Sequence, residues 1–505
     1  MKRLRSTHFV LALFVAGLCV SLAGCPKGGK QPASQAAKNP LAGIQLRLLV
    51  VDDPAIAAAA GRLRSEWQAR TGSKLVVSEM PAAEFAGLEA IDADAVIYPA
   101  ALVGQIAERE LLAAVPPAIL AGQELAWSDL FETLQLSEAT WGPATVAVPF
   151  GSPVFTCVYR ADLLEKLRRT SPETWVEYQA LAEFLAHREN LPADFIAADE
   201  PWHGTIEPCG PEWAGKLLLA RCAAYAKHRD NYSTLFNMNT MQPLIDQPPF
   251  VRALEELVAA AKLGPADRTG LDPAAARREI LAGHAALALT WPSAAAKSPT
   301  AQNSAVTQNP DATKPAGTTA TKRTLGFQQL PGSRDVFNFS SKAWEQRGSG
   351  DATRVPLLAI DGRVGSVPES AQYPHAAFQL LAWLSGQEWS KTVCAASPAT
   401  TLFRTSHLAA PTSWTDAALD PAAAKAYARV VQQTLSQPTV LFAVRLPGHD
   451  EYLAALNNAV TSTLAGETTA AAALGQTASE WNAITDRLGR ESQRRAYQHS
   501  LGLEP

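Results

Sequence analysis

An apolar run that ends in two acids and a proline constrains the fold more than any other stretch of this chain. Ile44-Gln45-Leu46-Arg47-Leu48-Leu49-Val50-Val51 is rich in aliphatic residues suited to a strand, and Asp52-Asp53-Pro54 follows at once. An Asp N-cap with Pro at the first helical position starts a helix. Ile56, Ala60, Leu63 and Trp67 then recur at helical spacing, and Gly72 closes the helix. Lys74 to Ser78 reads as the next strand, Ala83 to Ala90 as a helix, Asp94 to Tyr98 as a third strand, and Ala101 to Leu111 as another helix. Strands alternating with helices predict βαβ units, a mostly parallel sheet and an α/β protein.

From Ala144 to Arg160 two extended segments flank Pro149-Phe150-Gly151-Ser152-Pro153. Two prolines around a Gly make an extended crossing rather than a tight hairpin. A short helix starts at Asp162, and Thr174-Trp175-Val176-Glu177 is a capping box with Trp175, Tyr178 and Leu181 inward. Further helices fit Trp213–Ala226, Phe250–Lys262 and Pro273–Ala282, and a strand fits Ala285–Trp291. Residues Ser293 to Lys322 are rich in Ala, Thr, Ser, Asn and Pro, with no aromatic residue, which predicts a disordered insertion. Order resumes at Leu325, and amphipathic helices fit Ala376–Leu384 and Ala472–Leu488.

The first residues carry an address. Lys2, Arg3 and Arg5 precede an apolar run from Phe9 to Val20, and Leu22-Ala23-Gly24-Cys25 follows. This is a secretory signal, and its run of 12 apolar-region residues is too short to span a bilayer. The tetrad resembles a bacterial lipobox, in which the leader is cut before the Cys and the thiol takes a lipid. The expected mature chain starts at Cys25, anchored to a membrane on its outer or periplasmic face, with 25–42 as a flexible linker.

The chain of 505 residues carries net charge −4, and loss of the leader leaves 41 Lys and Arg against 48 Asp and Glu, a net −7. No basic patch appears, which argues against nucleic acid. Cys157, Cys209, Cys222 and Cys394 show no metal-ligand spacing. An oxidising compartment would permit a Cys209–Cys222 bridge; four buried thiols are the simpler reading. GxSxG, HExxH, Walker and GxGxxG motifs are absent, and the histidines are scattered. No enzyme, metal or cofactor is expected.

Several short motifs, in order, resemble those of bacterial extracellular solute-binding proteins of the maltose-binding-protein class, which serve ABC importers. They are Trp67-Gln68-Ala69-Arg70-Thr71-Gly72, Asp94-Ala95-Val96-Ile97-Tyr98, Tyr159-Arg160-Ala161-Asp162-Leu163-Leu164, Pro172-Glu173-Thr174-Trp175-Val176-Glu177-Tyr178, and Gly283-His284-Ala285-Ala286-Leu287. The resemblance covers roughly Ile44 to Leu488. It implies a two-lobed periplasmic-binding-protein type 2 fold, parallel-rich sheets flanked by helices, a ligand cleft between lobes, and delivery to ABC permease membrane subunits. The expected division is a leader 1–24, linker 25–42, first-lobe part 43–150, second lobe 151–327 with its insertion at 293–322, a second first-lobe part 328–396, and a helical part 397–505 on the second lobe. The solute is expected to be small, with carbohydrate favoured. A membrane-tethered sensor or scaffold with the same fold is the alternative.

Candidate ligand residues follow from chemistry and place. Aromatic faces cover the apolar face of a pyranose, while carboxylates and amides bond its hydroxyls. Tyr98, Asp52 and Asp53 lie at the C-terminal ends of strands, where such sheets bind ligands. The competing roles are a core Tyr and helix capping. Glu207-Pro208 resembles a sugar-contacting Glu-Pro-Tyr motif, with Cys209 at the Tyr position, and Trp213 supplies a ring nearby. Trp291 ends a strand expected to reach the cleft. Ser152 sits in the crossing, and Tyr452 precedes the aromatic C-terminal segment. Core packing competes for Trp213, Trp291 and Tyr452, and a turn role for Ser152.

Overall fold

The computed structural model describes residues 41–192, 195–197, 199–297 and 323–504. The leader, Cys25, the linker to residue 40 and residues 298–322 of the expected insertion lie outside the described residues. The strands run β1 (Gln45–Val51), β2 (Lys74–Met80), β3 (Ala95–Pro99), β4 (Thr140–Trp141), β5 (Ala144–Thr145), β6 (Val148–Gly151), β7 (Thr156–Arg160), β8 (His203–Ile206), β9 (Ala285–Thr290), β10 (Leu325–Gln329), β11 (Asp335–Asn338), β12 (Ala343–Gln346), β13 (Leu357–Leu358), β14 (Arg363–Ser366) and β15 (Leu441–Phe442).

Two sheets make two lobes. The first has the order β2-β1-β3-β14-β6, and the second β10-β7-β9-β8. In the first, β1 pairs in parallel with β2 and β3, while β14 runs antiparallel to β3 and β6. In the second, β8 and β9 are parallel and β7 is antiparallel to both β9 and β10. Helices cover both faces, so β9 (Ala-Ala-Leu-Ala-Leu-Thr) is buried along its whole length, as strands flanked on both sides must be.

Local chemistry explains the elements around the lobe junction. Asp53 Oδ1 accepts the Ile56 amide at 3.0 Å and starts helix Pro54–Arg62. The expected single helix to Gly72 is two, interrupted at Leu63, and Gly72 closes the second with φ +73°. Thr174 and Glu177 form the full capping box on helix Trp175–Ala186. The helix expected over Ala101–Leu111 ends at Ala107. Its polar tail Glu108-Arg109-Glu110 offers no apolar residue to pack, and Glu110 turns to φ +57°.

Two links join the sheets. Ser152–Phe155 connects β6 to β7, and Ala359–Gly362 leads from β13 into β14. The boundary expected at 327/328 falls inside β10, which stays in the second sheet through Gln329. The chain returns to the first sheet only at β14, after a β11–β12 hairpin that the sequence reading missed. The C-terminal part holds helices Pro421–Leu435, His449–Leu464, Ala470–Leu488 and Arg490–Ser500. The first packs on β10, and the next two pack on helices Ala214–Ala226 and Pro248–Ala261 of the second lobe. Cys157, Cys209, Cys222 and Cys394 are free, buried thiols. Among the described residues no helix is long and apolar enough to cross a membrane.

Candidate functional site

The junction is built on close approach. Gly151 has φ +116°, and a Cβ there would lie 2.9 Å from Thr400 Cβ and 3.0 Å from the Thr401 carbonyl oxygen. Gly362 has φ +91°, and its Cβ would lie 3.1 Å from Ser152 Cα. Only glycine fits both the dihedrals and the space. The two links therefore run side by side, with Thr400–Thr401 against them.

Aromatic rings gather where the first link enters the second lobe. Phe155 lies 5.5 Å from Trp291 and 6.1 Å from Trp213, and the two indoles are 5.7 Å apart, all in tilted or edge-on geometry. Trp291 follows β9, and its carbonyl accepts Arg277 Nη1 at 2.9 Å. Its indole Nε1 donates to the Pro398 carbonyl at 3.0 Å, a contact from the second lobe to the loop that follows helix Ser390–Val393. Trp213 precedes helix Ala214–Ala226 and stays partly exposed. The Lys216 ammonium sits over its ring at 4.3 Å. Burial lowers the Lys216 pKa, with Asp361 of the second link opposing that shift and Arg363 adding to it.

Charged groups of the first lobe meet that wall. Asp52, at the end of β1, is exposed and has φ +55°. Arg363 Nη2 donates to its carbonyl oxygen at 3.0 Å. The Arg363 guanidinium also lies 2.6 Å from Asp361 and 3.0 Å from Asp53. Asp53 is buried, and Ser397 Oγ donates to its Oδ2 at 2.5 Å. The arrangement brings Asp52, Asp53, Trp213 and Trp291 to the junction, with Phe155, Lys216, Asp361 and Arg363 beside them. Phe155 and Lys216 were missed by sequence reasoning. Phe155 sits two residues past a crossing proline, and Lys216 one helical turn from Trp213 (Pro153, Ala214–Ala226); both signals were present.

The remaining candidates lie elsewhere. Tyr98 is fully buried in the first lobe, its ring 5.3 Å from Phe85 and its hydroxyl 3.0 Å from Ser366 Oγ. Glu207 is buried in the second lobe and pairs with Arg221 at 2.5 Å, under the Trp175 ring. Tyr452 lies within helix His449–Leu464 rather than before it, packed on Phe236 and Trp481 with its hydroxyl on Thr485. Ser152 is buried in the first link and donates to Glu138 Oε1 at 2.7 Å. Among the described residues no group of three His, Cys, Asp or Glu is placed to hold a metal ion.

No family model matches the chain, and no curated protein matches it. Solved structures do match in fold. An ABC transporter solute-binding protein from Agrobacterium radiobacter K84, in complex with ribitol, superposes with TM-score 0.60 at 19% identity, covering 88% of this chain and 100% of its own. Maltose-bound MalE3 of T. maritima gives TM-score 0.60 at 16% identity, covering 88% and 100%. A solute-binding protein from Agrobacterium vitis S4 with bound D-mannitol gives 0.59 at 17%, covering 88% and 99%. The chain therefore has the two-lobed fold of ABC solute-binding proteins, and the expectation of a type 2 periplasmic-binding architecture holds.

Proposed function

We propose that this protein is a solute-binding receptor of an ABC import system, lipid-anchored at Cys25 and working at the cell envelope outside the cytoplasm. It binds a neutral sugar or polyol between its lobes and delivers it to the membrane subunits of a permease. It is a receptor and not an enzyme.

The observation that carries this reading is the junction itself. Trp213 offers a partly exposed indole backed by the buried rings of Phe155 and Trp291, and Lys216 and Asp361 lie beside it, with the exposed Asp52 on the first-lobe side of the junction. Apolar faces beside fixed polar groups are what a polyhydroxylated ligand needs. The group carries more acid than base, which disfavours anionic sugars. The likeness to proteins holding ribitol, maltose and mannitol supports the same ligand class. Closure follows because a ligand touching both lobes favours the state in which it touches both.

The test is a thermal-shift and tryptophan-fluorescence screen with ribitol, D-mannitol, maltose and a wider panel of neutral mono- and oligosaccharides. A hit with micromolar affinity, about −8 kcal/mol, is expected. A panel with no response sinks the ligand class.

A further inference from the structure

One buried side chain at the junction has no part in ligand contact. Glu138 ends the wide turn Leu134–Glu138 of the first lobe and is 1% exposed. Its Oε1 accepts the hydrogen bond from Ser152, the first residue of the link between β6 and β7. Its Oε2 has no hydrogen-bond partner among the described residues. A carboxyl so placed is costly to bury, and its one bond goes to the link.

The groups around it are few. Arg445, from the segment between helices Pro421–Leu435 and His449–Leu464, supplies the facing positive charge. Its Nη1 and Nη2 are committed to the carbonyl oxygens of Ser137 and Thr140, at 3.1 and 3.2 Å, and it lies against Trp141 and Phe442. Beyond Arg445 stands Tyr98, whose pKa burial raises. A second titratable pair, Glu108 and His499, sits at the edge of Trp141: Glu108 accepts the Trp141 indole N–H at 2.7 Å and contacts His499 Nδ1 at 2.6 Å.

We propose that Glu138 is a positioning residue of the interlobe site: its carboxylate holds Ser152, so the charge on Glu138 sets how the first link leaves the first lobe and hence how the lobes are oriented. This rests on the reading of the lobes as moving about these links. An ionised carboxylate accepts a hydroxyl hydrogen bond more strongly than a neutral carboxyl does. Rotation that carries Ser152 away leaves the carboxylate without its donor. Ionised Glu138 therefore favours the lobe arrangement described here, and the neutral form releases the link. Burial pushes Glu138 up to about 7, with the Ser152 bond and Arg445 acting the other way, so the charge changes in the neutral range.

The test needs no ligand, so it stands apart from the solute-binding reading. Small-angle scattering of the full chain is recorded from pH 5.5 to 8.5 for wild type, Glu138→Gln, Ser152→Ala and His499→Gln. The wild-type radius of gyration should shift with a midpoint near 7. Glu138→Gln should hold the acid-side value throughout, Ser152→Ala should lose most of the shift, and His499→Gln should keep it. A wild type without a shift, or a shift that survives in Glu138→Gln, overturns the proposal. So does a shift lost only in His499→Gln. If Glu138→Gln fails to fold, Ser152→Ala decides alone. A pH response with an unresponsive sugar panel would leave this proposal standing and the ligand class fallen; the reverse pattern would do the opposite.

Discussion

Arg363 holds Asp53 across the top of the first sheet, with its Nε 3.0 Å from Asp53 Oδ2 and both side chains almost wholly buried. That one carboxylate also starts helix Pro54–Arg62 through its other oxygen and receives the Ser397 hydroxyl. It ties β1, β14 and the loop after helix Ser390–Val393 into one corner, on which Asp52 is displayed. The corner is held by the ion pairs of Arg363 with Asp53 and Asp361 and by its Nη2 hydrogen bond to the Asp52 carbonyl, and Asp52 is aimed by the strained backbone this corner holds in place.

Asp53→Ala should therefore cost about 3–5 kcal/mol in urea unfolding, since it strips a buried guanidinium of one partner as well as removing the cap. Asp53→Asn keeps the capping oxygen and should cost less. An Asn variant as stable as wild type would show that the cap alone matters, and equal losses in the two variants that the charge facing Arg363 carries the whole effect.

Trp213 is partly exposed and makes its contacts at the wall of the junction. Trp213→Ala should weaken binding of a responsive sugar or polyol by roughly 1–3 kcal/mol, the range for a lost ring surface. Calorimetric titration checks the affinity, and a melt checks that the fold survives. Unchanged affinity would move the site away from this wall.

Glu138 also gives a stability prediction. Its folded pKa, about 7, lies above the usual carboxylate value, so the fold prefers the neutral form. That preference contributes fully below the unfolded pKa and is lost as pH rises through 7. Glu138→Gln, which is neutral at every pH, should gain on wild type between pH 4.5 and 7 and then level off. The gain should be on the order of 3 kcal/mol above pH 7. Urea unfolding at pH 4.5, 6 and 8 reads it, and a difference independent of pH would contradict it.

The sequence was most legible where local chemistry is strong. Asp53-Pro54, Thr174 with Glu177, and Asp272-Pro273 start helices in the structure as their spacing predicts. The parallel pairing of β1 with β2 and β3 followed from strand–helix alternation. The β11–β12 hairpin was not legible, because Ser340-Ser341-Lys342 lacks an Asn-Gly or Asp-Gly turn and the strands are short. Tyr98 shows the limit for site residues. A strand end predicts proximity to a cleft, but β14 pairs beside β3 and offers Ser366 to the hydroxyl, turning the ring inward. That pairing joins residues 268 apart in sequence. Trp213 and Trp291 lie at the junction because both sit at element ends rather than within an apolar face.

The anchor is a separate expectation, carried by Leu22-Ala23-Gly24-Cys25. Cys25→Ser should move the protein from the detergent phase to the soluble fraction in a Triton X-114 partition. A variant that stays with the detergent as wild type does would remove the lipobox reading.

The central claim is that a neutral sugar or polyol sits between the lobes against Trp213, whose ring packs on the buried Trp291. Indole N–H resonances of ¹⁵N-labelled protein, assigned by Trp→Phe variants, report on it directly. On adding a saccharide or polyol from the panel, the Trp213 and Trp291 signals should shift most, while those of Trp67 and Trp481, buried against Trp383 and Phe236, should stay nearly still. If a bound ligand leaves Trp213 and Trp291 unmoved, or none in the panel binds, the account is wrong.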